Sequence, residues 1–172
     1  MNTGYVHVYT GNGKGKTTAA LGLAMRAAGA GHRVFIAQFV KGMHYSELDS
    51  FSRLADCITL RQFGRRCFIY KDPEPEDYAA ARQGIDEVRT AVMSGAYHLV
   101  ILDEANIATH YNLITVDELI ELIDNRPKHV ELVITGRCAH PKIIDKADLV
   151  TEMVEVKHYY NQGVMARKGI ES

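Results

Sequence analysis

Residues 10–18 read Thr-Gly-Asn-Gly-Lys-Gly-Lys-Thr-Thr, alternating glycines with two lysines and closing on two hydroxyls. Glycine reaches backbone angles closed to other residues. Successive N–H groups can therefore turn inward and cradle phosphate oxygens. A helix opening at Lys16 adds the positive end of its dipole at the same point. There Lys16 is a point charge for the β- and γ-phosphates, and the Thr17 hydroxyl is a ligand for Mg2+ or Mn2+. The pattern is that of a P-loop, so Gly11, Asn12, Gly13, Lys14, Gly15, Lys16, Thr17 and Thr18 are the expected nucleotide-binding residues. It is a variant: in GxxxxGK[ST] the first glycine would fall on Thr10, and GxGxxG fails because Lys16 stands at its last glycine. The Lys16 charge is expected to be exposed in the empty site, so its removal should hardly affect folding.

The run 99–104, Leu-Val-Ile-Leu-Asp-Glu, is the second chemical element. Four apolar residues ending in two carboxylates read as a Walker B strand, expected beside the first strand with its tip at the metal. Asp103 would hold the metal directly or through water. Glu104 is a second metal ligand, or the water-activating group of a hydrolase, or simply an acid favoured at a helix N-terminus.

These residues need a sheet edge to stand on. Short apolar runs alternate with helical patterns along the chain. Strands are expected at 5–10, 33–39, 58–62, 97–102, 130–135 and 148–154, and helices at 16–29 and 75–94. Thr115 and Glu118 form a capping box, and Val116, Leu119, Ile120 and Ile123 share one helix face. Pro141 suits the first turn of a short helix. The helix at 16–29 is apolar nearly all round and is therefore expected to be buried. Alternation of this kind predicts an α/β three-layer sandwich with a mostly parallel sheet. With the loop at 10–18, that is a P-loop NTPase fold of the RecA-like type, binding its ligand at the carboxyl ends of the strands. No repeat, linker or composition break appears, so residues 1–172 are expected to form a single nucleotide-binding domain.

The 172 residues are 47% hydrophobic and 24% charged, with a net charge of −1. That balance excludes a generally basic nucleic-acid binder. No run approaches the ~20 apolar residues of a membrane span. Met1-Asn2-Thr3-Gly4 lacks the basic region and apolar core of a signal peptide, so a cytoplasmic protein is expected. The first acidic residue is Glu47, while Lys14, Lys16, Arg26, Arg33 and Lys41 precede it. The local field suits a polyphosphate. At this point the residues describe a magnesium–ATP site and leave kinase, ATPase and other nucleotide chemistry open.

Several stretches together resemble one family, the ATP:corrinoid adenosyltransferases of the cob(I)yrinic acid a,c-diamide (cobalamin) type. The variant loop from Thr10 to Ala20, the segment Gln38-Phe39-Val40-Lys41-Gly42, Asn125-Arg126-Pro127, Val133-Ile134-Thr135-Gly136-Arg137, and the tail from Val156 through Gly163-Val164 to Lys168-Gly169-Ile170 are each similar to that family's own forms. The resemblance implies that Co(I) of a reduced corrinoid attacks C5′ of ATP and triphosphate leaves, within adenosylcobalamin biosynthesis or salvage. It further implies an ATP reversed relative to ordinary P-loop proteins, a reduced flavoprotein as electron donor, and a homodimer.

The family often has a Phe-Thr-Trp segment against the lower corrin face. Here Phe68-Ile69-Tyr70 stands in its place, and the chain has no Trp. Phe68 and Tyr70 are accordingly the expected corrin contacts. Members also often carry a basic N-terminal extension, whereas this sequence opens at its first strand. Arg26, the lone charge on the first helix, is implied to contact nucleotide, with a structural ion pair as the alternative. Arg137 follows a strand end and joins Lys16 and Glu104 as an expected catalytic residue. His110, His140 and His158 lack metal-ligand spacing. Cys57, Cys67 and Cys138 are expected to be core residues with free thiols. A P-loop small-molecule kinase or ATPase is the alternative function, followed by a non-catalytic nucleotide-dependent interaction module.

Overall fold

The computed structural model describes residues 3–65 and 72–171. In chain order the elements are β1 (Val6–Thr10), α1 (Lys16–Gly29), β2 (Val34–Phe39), α2 (Ser46–Ser52), β3 (Ile58–Phe63), α3 (Pro75–Met93), β4 (Leu99–Asp103), α4 (Ala105–His110), α5 (Val116–Asn125), β5 (Glu131–Thr135), α6 (Pro141–Lys146) and β6 (Leu149–Glu152). A 3₁₀ turn at Tyr159–Gln162 follows. The six strands form one sheet in the order β3-β2-β4-β5-β1-β6, and every pair is parallel.

Side chains alternate across a strand, and this divides the core in two. Phe35, Ala37 and Phe39 of β2 join Val100 and Leu102 of β4 in the layer under α3, α5 and α6. Val34 and Ile36 join Leu99, Ile101 and Val133 in the layer under Ala20, Ala24 and Phe51 of α1 and α2. The result is the expected three-layer α/β sandwich. Glycine tightens it at one point: a Cβ on Gly84 of α3 would lie 2.8 Å from both Phe39 Cε1 and Phe63 Cγ. The helix thus sits directly on the aromatic pair that ends β2 and β3.

Three expectations are corrected. First, β4 is not beside β1; β5 lies between them, paired to both. Second, α1 is not buried all round. Only Lys16, Ala20 and Ala24 are buried, because β1, β2, β4 and β5 cover a single stripe of it. Third, only one of the described cysteines meets the core: Cys57 is half-buried and packs against the α1-side core, whereas Cys138 is exposed on the turn after β5. Cys67, Phe68 and Tyr70 lie outside the described residues. Among the described residues no helix is long and apolar enough to cross a membrane.

Candidate active site

Between β1 and α1 the chain makes a loop that only glycine can follow. Gly11 has φ 92° and Gly15, which caps α1, has φ 118°. The loop rests on the chain just after β6: Gly13 N donates to Met153 O at 2.6 Å, and Met153 N donates to Thr10 O at 2.8 Å. A Cβ on Gly11 or Gly13 would stand 2.5 or 2.7 Å from that same Met153 oxygen. Lys16 is buried, not exposed as expected. Its ammonium folds back to donate to Gly11 O at 2.8 Å and Gly13 O at 2.7 Å. Burial pushes its pKa down; the Glu104 and Asp103 carboxylates oppose this, and Arg137 reinforces it. Asn12, Lys14 and Thr18 are exposed around this centre.

Asp103 ends β4 with no exposed surface. Its Oδ1 accepts from Thr17 Oγ1 at 2.8 Å and Thr135 Oγ1 at 2.7 Å. Its Oδ2 accepts from Lys41 Nζ at 2.7 Å and Gln38 Nε2 at 3.3 Å. Four elements therefore meet at one carboxylate: α1, β5, the turn after β2, and β2 itself. Lys41 Nζ also reaches Thr17 Oγ1 at 3.3 Å. Burial works against the Lys41 charge, and the Asp103 carboxylate outweighs it, holding the ammonium above its ordinary pKa.

Glu104 is the next residue and turns the chain with φ 61°. A positive φ outside glycine is uncommon and marks functional sites more often than chance. Its N–H donates to Thr135 Oγ1 at 3.0 Å, so one hydroxyl fixes both carboxylate residues. Glu104 opens α4 without any side-chain capping bond. Burial and the Asp103 charge push its pKa up, against Lys41, Lys16 and Arg137. Arg137 is exposed at the carboxyl edge of the sheet and acts electrostatically on both Lys16 and Glu104. It follows Gly136 (φ 128°), whose carbonyl is held by the buried Asn106 at 3.2 Å.

Other singled-out residues fall elsewhere. Arg26 is exposed near the end of α1 and lines a shallow cavity of about 260 Å³ with His32, Leu99 and Glu131. Leu99 and Glu131 begin their strands, so this cavity is at the amino edge, opposite the phosphate loop. Arg126 is structural, donating to Gly4 O at 2.9 Å. His140 caps α6, and His158 caps the 3₁₀ turn. Gln38, Lys41 and Thr135 join the site in the fold, although their motifs alone give them no role in it. A glutamine and a threonine at the ends of otherwise apolar strands were the signal available.

Thr17, Asp103 and Glu104 offer hard oxygen donors, the chemistry that suits Mg2+ or Mn2+. The ammonium of Lys41 lies between Thr17 and Asp103, so a positive charge stands at this position. Lys16 and Arg137 bring positive charge to the same edge of the sheet.

The chain is similar to known proteins over nearly its whole length. An uncharacterised protein of Nostoc sp. (strain PCC 7120), all2391, is 35% identical over 96% of this chain, which spans 47% of that protein's length. The corrinoid adenosyltransferase of Pseudomonas aeruginosa is 34% identical over 98% of this chain and 83% of its own. That of Escherichia coli (strain K12) is 34% identical over 98% and 85%. The family described as ATP:corrinoid adenosyltransferase BtuR/CobO/CobP matches residues 2–172. By its loop, its carboxylate pair and this match over nearly its whole length, the chain belongs to that family of ATP:corrinoid adenosyltransferases.

Proposed function

We propose that this protein transfers the 5′-deoxyadenosyl group of ATP to Co(I) of a corrinoid and releases inorganic triphosphate. The acceptor is cobyrinic acid a,c-diamide, cobinamide or cobalamin. The cobalt electron pair forms the Co–C5′ bond, the C5′–O bond breaks, and its pair leaves with the triphosphate. Negative charge thus grows on the triphosphate, and Lys16, loop N–H groups and Arg137 would stabilise it. The carrying observation is the saturation of Asp103 by four donors. A buried carboxylate already paired with an ammonium suits balancing positive charge and not proton abstraction, and this transfer needs no general base.

Thr17, Asp103 and Glu104 would hold Mg2+ or Mn2+, which supplies charge neutralisation of the triphosphate. Phe68 and Tyr70 are assigned to the lower corrin face, where aromatic side chains exclude water and an axial ligand. Arg26 stands at the far edge of its own sheet, so a nucleotide contact from it is assigned to a second copy in a homodimer. A reduced flavoprotein is the proposed electron donor, the cytoplasm the proposed compartment, and adenosylcobalamin biosynthesis or salvage the proposed role.

The deciding experiment is phosphorus NMR during turnover with ATP, a chemical reductant and cobalamin. Triphosphate should appear in step with the adenosylated product. ADP and phosphate formed in that ratio would instead assign a kinase or ATPase.

A further inference from the structure

Asp103 has no acceptor position left. A carboxylate offers about four lone-pair sites, and Thr17, Thr135, Lys41 and Gln38 fill them. Any group that binds Asp103 directly must displace one donor. Gln38 and Thr135 are fully buried, and Gln38 is tied to Glu47 and Gln62 as well. Thr17 is fixed in the first turn of α1. Lys41 differs: its side chain is long and 15% exposed, giving it a path to solvent. Its ammonium is also the only one of the four donors that carries a charge.

The backbone is shaped to deliver this lysine. Val40, just before it, has φ 51°. For a β-branched residue that is a genuine outlier, sustained only where surroundings impose it. Two glycines impose it here. A Cβ on Gly42 would lie 2.2 Å from Gly64 O, and one on Gly64 would lie 2.4 Å from Lys41 N. The strained turn is thus locked between the ends of β2 and β3.

Resting on the reading of this site as a cation–nucleotide site, we propose that Lys41 is an exchangeable counter-ion. Its ammonium holds the place between Thr17 and Asp103 when no nucleotide is bound and keeps a bare divalent cation out. It yields that place when the cation arrives with a triphosphate, whose oxygens supply new negative charge for the lysine. Cation and nucleotide therefore bind with positive coupling.

The test uses Mn2+ alone, titrated by electron paramagnetic resonance without ATP or corrinoid. Wild type should bind Mn2+ weakly. Lys41→Met should bind it at least tenfold more tightly, and Mn2+ should raise the melting temperature of Lys41→Met but not of wild type. Adding Asp103→Asn to Lys41→Met should abolish the gain. Equal Mn2+ affinity in wild type and Lys41→Met, or tight binding that survives Asp103→Asn, would overturn the proposal. If Lys41→Met fails to fold, Lys41→Gln enters the same titration, and no gain there overturns it equally. Adenosyl transfer plays no part in this readout, so a failure of the proposed function and a failure of this inference are separately visible.

Discussion

Glu171 holds the ammonium of Lys14 at 2.9 Å, 157 residues away along the chain. The same ammonium donates to Tyr159 Oη and to Ile170 O, each at 3.2 Å, and Arg167 pairs with Glu171 from the other side. The tail is thereby fastened to the phosphate loop through one loop lysine. Arg167, Lys14 and the Tyr159 hydroxyl hold the Glu171 carboxyl well below the usual range. A carboxylate depressed in this way contributes fully above its unfolded pKa of about 4.3, so the tie is complete at neutral pH. Glu171→Gln should then speed hydrogen exchange across residues 159–171 at pH 7. It also frees the Lys14 charge for ATP, so KM for ATP should fall about two- to threefold at low salt and return to wild type at high salt.

Lys16→Ala should abolish ATP binding and adenosylation. Because the ammonium is buried against two loop carbonyls, its removal also loosens the loop. A loss of about 1 kcal/mol in stability is expected for those two bonds once water replaces them. Calorimetric ATP titration and thermal unfolding of the same sample check both parts.

Thr135→Val removes the hydroxyl that joins Asp103 Oδ1 to the Glu104 N–H. Both groups are then left short of a partner in a buried site, at a cost of about 2 kcal/mol. Turnover should fall about tenfold or more, since both carboxylates lose their register. Thr135→Ser should restore most of each. Denaturant unfolding and steady-state kinetics of the pair make the measurement.

Glu118 gives a pH-dependent test remote from the site. Arg82, together with the Thr115 N–H and hydroxyl, holds its pKa down at about 2. The stabilisation is present above the unfolded pKa, about 4.3, and is lost as pH falls toward about 2. Glu118→Gln should cost about 1 kcal/mol at pH 7, allowing for the partly exposed Arg82. The gap in melting temperature should close between those two pH values.

Phe68→Ala should slow adenosylation strongly when a Co(II) corrinoid is offered with a weak reductant, and much less when Co(I) is made beforehand. Tyr70→Ala should act alike but more mildly. Equal loss with both substrates would remove these residues from the corrin face.

What the sequence disclosed follows the range of the interactions involved. Helix α1 begins and ends where its loop and composition said, and the Thr115–Glu118 capping box is present with both bonds. These are contacts within a few residues. The neighbour of β4 was misplaced because strand order depends on how non-consecutive segments pair, which no local pattern encodes. The exposure of α1 escaped for a related reason: an apolar helix does not state how much of itself the sheet can cover. Asp103 and Thr17 were legible as types, while Lys41, Gln38 and Thr135 acquire their roles only by converging on Asp103 from three other places in the chain.

That convergence bears on how the protein folds. The phosphate loop rests on Met153, Thr17 meets Asp103 across 86 residues and Thr135 meets it across 32, with β5 inserted between β1 and β4. Contacts of such separation require their intervening chain to be ordered first, which makes them slow to form. A partly zipped chain therefore has neither the loop's support nor the partners of the carboxylate. Nucleotide bound with its cation should stabilise the finished sheet alone, lengthening the life of the native state while leaving the rate of folding nearly untouched.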